Sequence, residues 1–182
     1  GQRFGHRVEL ALAGGFKDWE SEPESRLALI LLLDQFTRNI FRGTARAFAG
    51  DTRAVVLARR GQARGLFDSL PLIQQVFALM PLEHSELLSD RAACVAGMQR
   101  LLSLSPEGER PRFDGFLQHA LEHKAIIERF GRFPHRNQLL APLGTVLNRG
   151  GDKLEAGAYI AYVERRSLVG SLNPAFNAET LD

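Results

Sequence analysis

A chain of 182 residues, 45% of them hydrophobic, has the usual size of one domain and can bury a core without a disulfide or metal staple. Its 23 Lys and Arg against 21 Asp and Glu leave a net charge of only +2, too little for a general seeker of polyanions, so no nucleic-acid partner is expected. Cys94 is the single cysteine, which excludes an internal disulfide and a cysteine-based zinc site and suits a reducing compartment. The longest apolar run, Leu27 to Leu33, is far short of the ~20 residues that span a bilayer; no membrane partner and a cytoplasmic location are expected. Gly1 stands in place of an initiator Met, and whether the N-terminus is complete stays open at this level.

Gly and Pro cut the sequence into segments of ~10 to 20 residues with few β-branched strings, the signature of an all-α fold. A first helix is expected from about Gln2 to Ala13, stopping at Gly14-Gly15. A second opens with Ser21 as N-cap and Pro23 in the first turn and runs to Arg42 before Gly43. Asp51 caps a third that ends near Gly65, and Asp68 or Ser69 caps a fourth from Leu70 to Met80, where Pro81 forces a break or kink. A fifth spans about Ser85 to Leu104, and a sixth runs from Phe113 to Phe130, closed by Gly131. A short seventh around Arg136 to Leu140 and an amphipathic segment from Asp152 to Arg166 complete the count. The expected architecture is a single helical domain over residues 1–166, with residues 167–182 as a loose tail. About seven to eight antiparallel helices with short links make either a bundle or a stacked array of helix pairs.

Three polar constellations interrupt the apolar helices. In LDQFTRNIFRGT, which follows the Leu27 to Leu33 run, counting about 100° per residue puts Asp34, Gln35, Arg38, Asn39 and Arg42 on one arc. Such an arc faces solvent, where Asp34 and Arg38 form an ordinary ion pair one turn apart, or it lines an internal polar site. In MPLEHSE, Ser85 can cap the fifth helix, which sets His84 at the positive end of a helix dipole, favourable for the neutral imidazole and for a bound anion, with Glu86 next in the motif. In HALEHKAIIERFGRFPHRN, Gly131 ends the sixth helix beyond His123 and Arg129, and Arg132, His135, Arg136 and Asn137 then crowd around Phe133 and Pro134. His119, Glu122 and His123 in that stretch also spell His-x-x-Glu-His, an inverted zinc-protease pattern. With no third ligand apparent in the sequence, no metal and no cofactor are expected.

LILLLDQFTRNIFRGTARAF, PLEHSE and RFGRFPHRN, in that order and over about residues 2 to 140, resemble a family of uncharacterised bacterial proteins, domain of unknown function 924. The resemblance implies a tetratricopeptide-like helical fold and no particular activity. Its pattern matches Asp34, Gln35, Arg38, Asn39 and Arg42; His84, Ser85 and Glu86; and His123, Arg129, Arg132, His135, Arg136 and Asn137. His119 is not part of it. Thr37 stands where the family usually has Pro, Leu87 where an acidic residue follows Ser-Glu, and the segment after Asn137 departs from the usual pattern.

Three functions fit these residues. An arginine- and histidine-lined groove would hold an anionic small molecule or an acidic peptide, because the planar guanidinium pairs bidentately with carboxylate and phosphate. A metal-independent hydrolase or transferase would use His84, His123 or His135 as general base, oriented by Asp34 or Glu86. A scaffold for protein contacts would use the same groups to fix helix packing. The first is the leading expectation, and whether the protein is an enzyme stays open at this level.

Overall fold

The structure, a computed structural model, describes residues 2–133 and Arg136, the side chains from Phe4 onward. The chain divides into two compact units, residues 1–132 and 133–182, and each is taken by itself. The described part is all-α. The expected helix beyond Arg136, the segment from Asp152 to Arg166 and the tail lie outside the described residues.

Helix α1 covers Gln2–Leu12, and Gly14 with φ of +87° ends its run as the Gly-Gly pair requires. A 3-10 turn, Lys17–Glu20, leads to α2, Pro23–Leu31. Ser21 is not the cap of α2: its hydroxyl donates back to the Asp18 carbonyl, and Glu22 holds the cap position with no side-chain bond. The chain then widens into a π-helical turn, Leu32–Phe36, and finishes as α3, Thr37–Ile40, two residues before the expected end at Arg42. The Thr37 hydroxyl, fully buried, donates to the carbonyls of Leu33 and Asp34 at 2.7 and 3.1 Å and so ties down the widened turn.

After a second 3-10 turn, Ala45–Phe48, α4 runs over Asp51–Ala63, with Gly50 rather than Asp51 at the cap. A Cβ on Gly50 would lie 2.1 Å from the Leu33 carbonyl oxygen, so only glycine lets the start of α4 approach the π turn this closely. Helix α5 is Leu72–His84, entered from Pro71, and neither Asp68 nor Ser69 caps it. Pro81 lies inside α5 and does not end it. Three residues from the C-terminus, the proline removes a single backbone donor while its fixed φ stays helical, and its ring is buried in the core. Helix α6 starts at Leu88 rather than Ser85 and ends at Leu104, and α7, Arg110–Phe130, begins three residues earlier than expected.

Helices α4 to α7 pack each on the next, α1 packs on the π turn, and α5 touches α2, α4, α6 and α7, which makes it the central element of this unit. Leu29 and Ile30 of α2, Leu33 of the π turn, Leu82 of α5, Met98 and Leu101 of α6 and Phe113 of α7 form the apolar centre. Among the described residues, no helix is long and apolar enough to cross a membrane.

Candidate functional site

The end of α5 carries two adjacent polar residues that serve different neighbours. Glu83 and His84 lie about 100° apart around the helix, so one faces α7 and the other the π turn. Their position also corrects an expectation. His84 is the last residue of α5, at the negative end of that helix's dipole, and not at the positive start of the helix that follows.

On the π-turn side, His84 Nδ1 lies 2.8 and 3.0 Å from the two carboxylate oxygens of Asp34. Asp34 is 1% exposed, so it does not lie on a solvated helix face. Burial alone would raise its carboxyl pKa, but the charge and hydrogen bond of His84, the charge of Arg38 and a hydrogen bond from Gln35 outweigh it and hold Asp34 below its ordinary value. Gln35 Nε2 donates to Asp34 Oδ2 at 2.5 Å and also reaches Met80 Sδ at 3.7 Å. An ionised carboxylate only accepts, so His84 donates to Asp34 through Nδ1–H.

Arg38 extends this network outward. Its Nη1 lies 3.0 Å from Asp34 Oδ1, and its fork donates to Asp51 at 2.8 and 3.1 Å. Asp51, expected as a helix cap, is thus the second carboxylate of an Asp34–Arg38–Asp51 bridge from the π turn to the start of α4.

On the α7 side, Glu83 is 3% exposed and accepts at one oxygen, Oε1, from His119 Nδ1 at 2.6 Å and His123 Nδ1 at 2.8 Å. The two imidazoles, one turn apart on α7, lie with ring centroids 4.2 Å apart. Burial opposes ionisation of Glu83, but the two hydrogen bonds and the imidazole charges bring its pKa well below the ordinary carboxylate range. For His123, burial favours the neutral ring and lowers its pKa against the pull of Glu83; charge on His119 and His84 pushes the same way as burial. Cys94, near Glu83, has its thiol pushed up, first by burial and then by that carboxylate's charge, and so stays a protonated thiol.

The structure therefore brings Asp34, Gln35, Arg38, His84 and His123 from the three motifs into adjoining networks. Asn39 and Arg42 pair with each other at 3.1 Å on the exposed side, and Glu86 lies on the exposed stretch after α5. Ser85 turns away to bond Asp90, which also holds Arg59 of α4. Arg129 and Arg132 are exposed, Arg129 over the ring of Phe130. Arg136 belongs to the second unit, where its guanidinium lies over Phe133 at 4.8 Å, and His135 and Asn137 lie outside the described residues. Glu83, His119 and Asp51 were not among the expected site residues. His119 carried a signal in its spacing with His123; Glu83 lies within PLEHSE and Asp51 was read as a cap, but nothing local names their partners, since each meets them across helices.

A solved protein of unknown function from Agrobacterium tumefaciens, ATU0120, is similar in structure to this chain with a TM-score of 0.63 and 37% identity, covering 87% of this chain and 79% of its own. No curated protein matches the chain. The family model for a bacterial protein of unknown function, DUF924, matches residues 1–145, and the chain belongs to that family.

Proposed function

We propose that the protein acts on a small polar substrate by general acid–base catalysis, as a hydrolase or transferase, with His84 as the base and Asp34 as the carboxylate that orients it. The carrying observation is the 2.8 Å contact of His84 Nδ1 with a fully buried, ionised Asp34. A carboxylate on Nδ1 fixes the tautomer and ring angle and stabilises the imidazolium that forms when Nε2 takes a proton. Gln35 and Arg38 hold Asp34 in turn, so the dyad is braced from behind. Nitrogen-resolved NMR should find His84 as the Nδ1–H tautomer, and a panel of ester, phosphoester, amide and glycoside substrates should show one turnover that His84→Ala cuts by about 10²- to 10⁴-fold. Full turnover in His84→Ala, or an Nε2–H tautomer, defeats this reading.

An anionic ligand is the second reading, carried by the exposure of Arg42, Arg129 and Arg132. Arg38 does not serve it, because both arms of its fork face Asp51 and its charge is shared with Asp34. Calorimetry with phosphate, nucleotides and acidic peptides tests it, and Arg42→Ala or Arg132→Ala should weaken any binding seen.

A further inference from the structure

We propose that Glu83, His119 and His123 form a binding site for a divalent transition-metal ion, with Zn²⁺ the ion that this donor set suits best. One ligand atom from each of the three residues lies within 4.8 Å of the other two. Two imidazole nitrogens and one carboxylate oxygen are the three-ligand set of open zinc sites, in which water or substrate takes the fourth position. The spacing of His119 and His123 by one helical turn on α7 presents two nitrogens on one face, the arrangement that helical zinc motifs use. The third ligand comes from α5: Glu83, distant in sequence, stands where the His-x-x-Glu-His pattern by itself supplies nothing.

Two features favour an ion over a hydrogen-bonded clamp between helices. First, the buried carboxylates Asp34 and Asp90 each have an arginine, Arg38 and Arg59 respectively. Glu83 is equally buried, yet among the described residues no Lys or Arg pairs with it; only the two imidazoles do. A buried charge needs compensation, and a divalent cation supplies it. Second, both rings point the same nitrogen at the same oxygen, which crowds two N–H donors against each other where a clamp needs one. Replacing those two protons by one cation removes the crowding.

The required movement is small. Ligand atoms about 2.0 Å from a tetrahedral ion stand about 3.3 Å apart, so the present contacts of 2.6 and 2.8 Å need to open by less than about 1 Å and the two imidazole nitrogens, within 4.8 Å of each other, to close by at most about 1.5 Å. Binding turns both rings to the Nε2–H tautomer, with Nδ1 on the metal. His119, 58% exposed, gives the ion an approach from solvent. The protonated Cys94 thiol is not a ligand.

The test is a calorimetric titration of the chelator-stripped full chain with Zn²⁺ alone at pH 7.5, backed by the visible absorption of Co²⁺ as a report of coordination. One ion per chain is expected, with at least tenfold weaker binding in His119→Ala and in Glu83→Gln. His119 is exposed, so its replacement leaves the fold intact by circular dichroism even where Glu83→Gln does not. Absence of saturable Zn²⁺ binding, or binding unchanged in a folded His119→Ala, overturns the proposal. The titration reads no turnover, so it stands or falls separately from the role given to His84.

Discussion

Arg38 answers two carboxylates with one guanidinium, and the geometry of that fork explains why arginine occupies the position. Two nearly parallel N–H groups meet Asp51 at 2.8 and 3.1 Å while Nη1 also lies near Asp34, a task that a lysine point charge cannot repeat. Removing the fork in Arg38→Ala should cost about 1.5 to 3 kcal/mol in urea unfolding, the range for hydrogen bonds to charged groups, and Arg38→Lys should recover less than half of it. At this scale the sequence was partly legible. The Asp34–Arg38 pair is visible because residues four apart share a helix face, and a family resemblance singled out His84 and His123. The partners that give these groups their chemistry are not local: His84 meets Asp34 across fifty positions, and Glu83 meets His119 and His123 across 36 and 40. Helical spacing reports neighbours on one helix and is silent about which helix packs beside it.

At the scale of elements, the π turn at Leu32–Phe36 decides where the first motif points. Counting at 100° per residue assumes an unbroken α-helix, and the wider turn changes the phase of everything after it. That is why Asp34, Gln35 and Arg38 turn toward α4 and α5 while Asn39 and Arg42, on the same arc by simple counting, reach solvent. Nothing in the composition of LLDQF announces a π turn, and the close approach beside it, Gly50 against the Leu33 backbone, is a contact between segments distant along the chain. Gly50→Ala should therefore destabilise the chain by about 1 to 3 kcal/mol or more, the cost of overpacking against a backbone that cannot yield, and should loosen the Arg38–Asp51 bridge. Thermal melting measures the first effect and a double-mutant cycle with Arg38→Ala the second. The helices themselves were legible, since apolar runs and glycine stops place them to within a few residues. The caps were less so: Ser21 and Asp51 spend their side chains on other partners, and Ser85, three residues before α6, accepts from Leu87 N–H while donating to Asp90.

For the whole molecule, buried ionisable groups tie stability to pH. Asp34 and Glu83 have folded-state pKa values below their unfolded ones, so their contribution is complete above the unfolded carboxylate range and is lost as pH falls through the folded values. His123 is held toward its neutral form, so its contribution is complete above about 6.5 and declines as protonation begins to favour the unfolded chain. In metal-free buffer the melting temperature should drop in two stages, first below about pH 6.5 and again in the carboxylate range near pH 4, and His123→Gln should abolish the first stage and, by taking a partner from Glu83, reduce the second. A flat profile between pH 7 and 5 contradicts this assignment. The neighbouring placement of Glu83 and His84 has one more consequence. The two clusters share no atom, yet a single peptide unit at the tip of α5 joins them and charge on His84 acts on His123 across it, so a disturbance in either can reach the other by two routes. Paired replacements Asp34→Asn and His123→Ala should then depart from additivity by more than about 0.5 kcal/mol, and simple summation would mean that neither the backbone nor the charges couple them.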